Sequence, residues 1–164
     1  MLTDLSVGWI VGLNVAGWIG IQLGLAWAFT RMPLSWFRPG AAWAWEHRGR
    51  FYERVVAIKY WKDRLPDAAR WFGGGFAKGT LAEVEPEYLR RFIRETWRGE
   101  LCHWSALVCA PAFFLWNPWW GDLIIIGYAV GANLPCILAQ RYNRVRLRRL
   151  LARKTTTVSP SAAA

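Results

Sequence analysis

The chain has 164 residues, 54% of them hydrophobic and 13 of them tryptophan, yet it carries a formal net charge of +10. An even mixture of apolar and basic residues is excluded, because such values are compatible only if the two populations are segregated along the chain. They are segregated: of the 21 lysines and arginines, 14 lie between Arg31 and Arg98 and 7 between Arg141 and Lys154, while residues 1–30 and 99–140 have none.

A membrane crossing takes about 20 apolar residues at a rise of about 1.5 Å each. Leu5 to Phe29 supplies one such stretch, and Leu101 to Trp116 and Leu123 to Ala139 supply two more. The last two are joined by Asn117-Pro118-Trp119-Trp120-Gly121-Asp122, where the Asn-Pro step stops a helix and the tryptophans suit a membrane interface. The expected fold is an all-α integral membrane protein, one membrane domain over residues 1–154 with about three transmembrane helices and interfacial amphipathic helices. Basic flanks stay on the cytoplasmic side. Residues 31–99 and the segment after Gln140 are therefore expected in the cytoplasm and the N-terminus outside, a multi-pass arrangement in the cell membrane. Met1 to Ser6 lacks the cationic start of a cleaved signal peptide, and the apolar run behind it is too long for one.

In the first span Gly8, Gly12, Ala16, Gly20 and Gly24 recur every four residues on one helix face, and Gly127 and Gly131 repeat the spacing in the third span. Small residues let backbones approach closely. The stripe predicts that these two helices are neighbours, and it admits a homodimer as readily as an internal pair.

In the intervening region Trp36, Phe37, Trp43 and Trp45 surround an Arg38-Pro39-Gly40 turn. Phe51, Val55, Ile58 and Leu65 predict one amphipathic helix over Glu46 to Leu65, with Arg50, Arg54 and Lys62 placed to face anionic membrane lipids. Pro66 ends that helix, and Gly73-Gly74-Gly75 leads to Lys78 without phosphate-loop spacing. Pro86 stands where a first-turn proline belongs, and Glu87 to Glu100 reads as a helix running into the second span. Thr155 to Ala164 reads as a disordered tail. Nucleic acid is not needed as a partner, since positive-inside topology accounts for every basic residue.

The chemistry candidates begin at that helix junction. Glu100 and His103 are three apart and so share a helix face, with Glu95 and Arg98 on the turns before them. An ionisable residue inside a membrane boundary is costly unless paired and is a functional candidate for that reason. Beside a carboxylate, such an imidazole suits a base working near neutral pH. The bland alternative is an interfacial histidine that satisfies loose polar ends. Asn133 and Gln140, seven apart, lie on one side of the third span, and Pro135 cannot donate to the carbonyl of Gly131. Gln140-Arg141-Tyr142-Asn143-Arg144 then supplies two guanidinium groups, a phenol and two amides at the helix mouth, suited to a phosphate or carboxylate. Arg146, Arg148, Arg149 and Arg153 read as headgroup anchors. Cys102, Cys109 and Cys136 read as small apolar residues. Glu100 and His103 also have the Glu-x-x-His spacing of carboxylate-bridged metal centres, but such a centre uses two copies, and the second histidine, His47, directly follows Glu46. No metal and no cofactor are expected.

Several of these segments resemble the glycosyl-diaponeurosporenoate acyltransferase family. They are Trp61-Lys62-Asp63-Arg64-Leu65-Pro66, Glu95-Thr96 with Arg98, Glu100-Leu101 with His103-Trp104, Asn133-Leu134-Pro135, and Gln140 to Arg144 with Arg146-Leu147. The resemblance runs in order from about Glu46 to Leu151, and the first span matches only in character. Val145 stands where relatives usually have proline, and Arg70 to Thr80 is glycine-rich here. In staphylococci that family performs the last step of staphyloxanthin assembly, esterifying a fatty acyl group onto the sugar of a glycosylated carotenoid.

The resemblance implies a membrane O-acyltransferase that takes an acyl chain from a thioester donor to a sugar hydroxyl on a lipid-like acceptor. His103 would be the general base oriented by Glu100, with Glu95 in the same catalytic group. Asn133 or Gln140 would donate to the developing oxyanion. Arg141 and Arg144, with Arg98, Tyr142, Asn143, Trp61, Lys62 and Asp63, would hold the donor's phosphates or the acceptor's head. A non-catalytic reading stays open beside it: a small membrane subunit that anchors a larger lipid or pigment enzyme, its polar stripe serving as interhelical glue.

Overall fold

The computed structural model describes residues 5–41, 43–65 and 85–158. The Gly73-Gly74-Gly75 segment, Pro66 and the last residues of the expected tail lie outside them. Among the described residues the chain is helical, with α1 (Val7–Arg31), α2 (Arg50–Arg54), α3 (Pro86–Cys109) and α4 (Trp119–Val158) accompanied by short 3₁₀ turns. No strand occurs among them.

Local sequence explains most of these boundaries. α1 is a mainly apolar run, interrupted by Asn14 and Gln22, that ends when Met32, the residue before Pro33, takes an extended conformation. Pro86 occupies the first turn of α3, Glu87 adds a negative charge to the positive end of its dipole, and the helix continues through Glu100 as expected. α1 and the segment Trp119–Thr156 of α4 are long and apolar enough to cross a membrane, by length and composition.

The expected second span is not one helix. α3 stops at Cys109, and Ala110–Leu115 tightens into a 3₁₀ turn whose start carries Pro111. A proline at that point cannot bond back into the α-helical ladder, so the chain turns several residues before the Asn117-Pro118 step. The third span is longer than expected. α4 runs for 40 residues with Pro135 inside it and carries the basic segment on the same helix. Thr155–Val158 belong to that helix, which corrects the expected start of a disordered tail.

The helix expected over Glu46 to Leu65 is also broken up. Ala44–Gly49 is a 3₁₀ turn, α2 has only five residues, and two further 3₁₀ turns follow at Ile58–Tyr60 and Lys62–Arg64. Two left-handed residues cause the breaks: Gly49 at φ 92° and Ala57 at φ 51°. Gly49 pays no steric penalty there, and a Cβ on it would lie against the Tyr142 ring and Val145.

α3 and α4 pack antiparallel, so descending positions on one meet ascending positions on the other. Leu89 and Ile93 meet Leu147 at one end, and Glu100 meets Arg141 and Arg144 further along. His103 then meets Asn133. α1 crosses the other end, where Trp18 joins Ala110, Phe113, Ile125 and Ala129. Asn14 and Asn117 clasp there through two reciprocal amide bonds of 2.8 Å. A third cluster seats the connector, residues 44–65, on α4, with Tyr52 and Ile58 against Ala139 and Tyr142.

The glycine stripe does not join α1 to α4. Gly8, Gly12, Ala16, Gly20, Gly24, Gly127 and Gly131 are all exposed, and a Cβ on Gly12, Gly20, Gly24, Gly127 or Gly131 would meet nothing within 4 Å. The close approach falls on Gly17, where a Cβ would stand 3.0 Å from the Phe113 ring. The asparagine clasp and the Trp18 contact set the register of α1, and they place the stripe on the outer face.

Candidate active site

Antiparallel pairing of α3 and α4 brings His103, Asn133, Glu100, Gln140, Arg141 and Arg144 into neighbouring layers. His103 Nδ1 lies 2.9 Å from Asn133 Oδ1. Asn133 is fully buried, and its Nδ2 donates to the Ala129 carbonyl one turn back at 2.9 Å. That second bond orients the amide with its oxygen toward the imidazole. A carbonyl oxygen accepts only, so this orientation of the amide calls for the proton on Nδ1 and leaves Nε2 its lone pair in the neutral ring. Gln22 Nε2 of α1 donates to the same oxygen at 3.4 Å.

Glu100 does not orient His103, contrary to expectation. Its carboxylate is fully buried and receives Arg141 Nε at 2.6 Å and Arg144 Nη2 at 2.5 Å, with Trp104 Nε1 at 3.2 Å. The two arginines are three apart on α4 and so project from one face toward α3. The Arg144 guanidinium stacks on the Trp97 ring at 4.9 Å. Two cations around one carboxylate form a strut between the helices, so Arg141 and Arg144 are engaged with Glu100 rather than standing open at the helix mouth.

The remaining expected site residues are distributed more widely. Glu95 pairs with Arg98 at 2.5 Å, and burial pushes its carboxyl up while the Arg98 and Arg91 charges oppose the shift. Eight residues separate Glu95 from His103, about 12 Å along a helix, so Glu95 and Arg98 form a pair of their own outside the histidine layer. The Gln140 amide lies against Gly99, 3.0 Å from where a Cβ would stand. Tyr142 is buried, meets Tyr52 edge to face and donates to Glu53 at 2.9 Å. Trp61 donates to the Val56 carbonyl at 2.9 Å and packs in the same connector cluster. Asn143 and Lys62 are half-buried, and the Asp63 side chain lies outside the described set. Arg148, expected as a headgroup anchor, donates to the Pro39 and Gly40 carbonyls, with 2.9 Å to Pro39, and ties α4 to that turn.

Four residues of this neighbourhood were not anticipated. Gln22 and Asn14 had a readable signal, since an amide inside an apolar membrane run asks for a partner. Glu46 and Tyr52 had none: Tyr52 donates to Glu46 at 2.6 Å inside the connector, and burial with the adjacent carboxylate pushes the phenol up, keeping it a donor.

A family model for glycosyl-4,4'-diaponeurosporenoate acyltransferase matches residues 33–153. The chain belongs to that acyltransferase family. A relative of that name from Staphylococcus haemolyticus is 34% identical over 139 residues, covering 82% of this chain and 81% of the relative. Another, from Staphylococcus aureus strain USA300, is 31% identical over 138 residues, covering 82% and 83%. No solved structure matches the chain. The match spans α2, α3 and nearly all of α4, so the His103, Glu100 and Gln140 layers all lie within the family region, while α1 precedes it.

Proposed function

We propose that this protein is an integral membrane O-acyltransferase that moves a fatty acyl chain from a thioester donor to a sugar hydroxyl of a glycosylated carotenoid or related glycolipid. The names of its relatives support the acceptor class. The two long apolar helices support a place in the membrane. The basic flanks favour an outside N-terminus and a working face on the cytoplasmic leaflet.

One observation carries the mechanism: the amide of Asn133 presents its oxygen to His103 Nδ1. His103 Nε2 takes the proton of the sugar hydroxyl as that oxygen attacks the thioester carbonyl carbon. The carbonyl electrons move onto oxygen, and Gln140, beside Gly99, is the candidate donor to that oxyanion. Asn133 is held with its nitrogen toward the Ala129 carbonyl and its oxygen toward His103, which gives it the orienting role. When the intermediate collapses, the carbon–sulfur bond breaks, the ester remains on the sugar, and the imidazolium returns its proton to the departing thiolate. The strut of Glu100, Arg141 and Arg144 holds α3 and α4 in the register this requires. Its cationic surplus is the candidate contact for an anionic part of the donor.

Reconstitution of the purified protein in lipid with an acyl thioester and a glycosylated diaponeurosporenoate tests this reading. His103→Ala is expected to lower turnover by roughly two to four powers of ten, the usual worth of a general base, at unchanged protein level. Wild-type turnover in that variant would overturn the assignment.

A further inference from the structure

α1 precedes the residues that match the family model, which begin at 33, yet it reaches the centre of the site. Asn14, Trp18 and Gln22 recur every four residues and therefore share one helix face. Asn14 is clasped to Asn117, and Trp18 is buried against Phe113 at a ring separation of 5.7 Å. With the register of α1 set by those two anchors, Gln22 is carried to Asn133 Oδ1 at 3.4 Å, the oxygen that already receives His103 Nδ1.

We propose that Gln22 is a positioning residue for acyl transfer, acting through Asn133 to keep the His103 proton on Nδ1 and the lone pair on Nε2. This rests on the reading of His103 as the base. An asparagine amide can exchange its oxygen and nitrogen by a half-turn, and the neighbouring hydrogen bonds decide which orientation holds. In the exchanged orientation Asn133 Oδ1 would confront the Ala129 carbonyl, and Nδ2 would confront the Gln22 donor until that amide turned as well, so Gln22 adds the cost of its own reorientation. The exchanged orientation would also offer His103 a donor, which moves the ring proton to Nε2 and removes the base from the reacting side. Ala129 is a backbone group and cannot turn. Gln22 is the second lock, and at 3.4 Å it is the longer and weaker of the two. Its loss therefore redistributes tautomers without dismantling the fold.

The chain has two histidines, so a His47→Gln background leaves one imidazole whose ring ¹⁵N shifts can be read in lipid bilayers by NMR. The Nδ1–H tautomer is expected at neutral pH. Gln22→Met keeps nearly the same volume but removes the donor. It is expected to bring in the Nε2–H tautomer and to lower kcat by about three- to tenfold, the range for one neutral hydrogen bond, with KM and melting temperature unchanged. Gln22→Asn, which shortens the reach by one methylene, should give the same direction if the methionine variant does not accumulate. An unchanged tautomer population in both variants, or an Nε2–H tautomer in the parent, overturns the proposal whatever the activity. Failure of the base reading looks different: His103→Ala would retain turnover while the tautomer still responded to Gln22.

Discussion

Glu100 and His103 leave α3 less than one turn apart, yet their side chains engage different partners: Glu100 holds Arg141 and Arg144, and His103 meets Asn133. Three residues on a helix differ by about 60° around the axis, enough to direct the two groups to different parts of α4. The carboxylate therefore serves the helix pair, and the amide serves the imidazole.

This division predicts how Glu100→Gln behaves. Removing the one anion leaves two guanidinium groups facing a neutral amide in a buried place, which typically costs about 3–5 kcal/mol. Unfolding titrations in detergent micelles should record a loss of that size. The His103 ring should keep its tautomer in whatever fraction remains folded, since its partner is Asn133.

Gly99→Ala probes the Gln140 layer. The added Cβ would lie 3.0 Å from Gln140 Nε2 and 3.3 Å from its Cδ, and a flexible side-chain end yields cheaply. Stability is expected to change little. If the Gln140 amide stabilises the oxyanion, turnover falls by up to about 10²-fold, the lower worth of one such donor. Unchanged turnover with the amide displaced would remove Gln140 from the mechanism.

Gly17→Val and Gly20→Val are three residues apart and should differ sharply. At Gly17 the first added carbon would meet the buried Phe113 ring at 3.0 Å, whereas at Gly20 it meets nothing within 4 Å. Overpacking of that kind costs about 1–3 kcal/mol. Thermal unfolding should show the loss at Gly17 only.

The connector should be acid-sensitive through Glu53. Hydrogen bonds from Lys59 first, and then from Tyr142, hold its carboxyl below the usual carboxylate range. A group depressed in the folded state contributes stability that is present above its ordinary value of about 4.3 and lost as pH falls through the folded value. Glu53→Gln should flatten the stability profile of the purified protein below about pH 5. An unaltered profile would show that the contact contributes nothing.

Much of the architecture was legible because its signals are local. The apolar run of α1, the first-turn Pro86 of α3 and the partition of basic residues each act within a few residues of where they stand. Some local signals also misled. Regular spacing of Phe51, Val55, Ile58 and Leu65 suggested one helix, but left-handed Gly49 and Ala57 divide it. Pro111 ended α3 before the more conspicuous Asn117-Pro118 step.

By itself the sequence determined the helical class, the apolar blocks and the family, all of which rest on order and composition along the chain. Tertiary structure alone decided who pairs with whom. Gln22 meets Asn133 across 111 positions, Asn14 meets Asn117 across 103, and Glu100 meets Arg144 across 44. Such pairs depend on the antiparallel register of α3 and α4 and on the face α1 presents to them. That register is a property of packed side chains, and no spacing within a single helix encodes it.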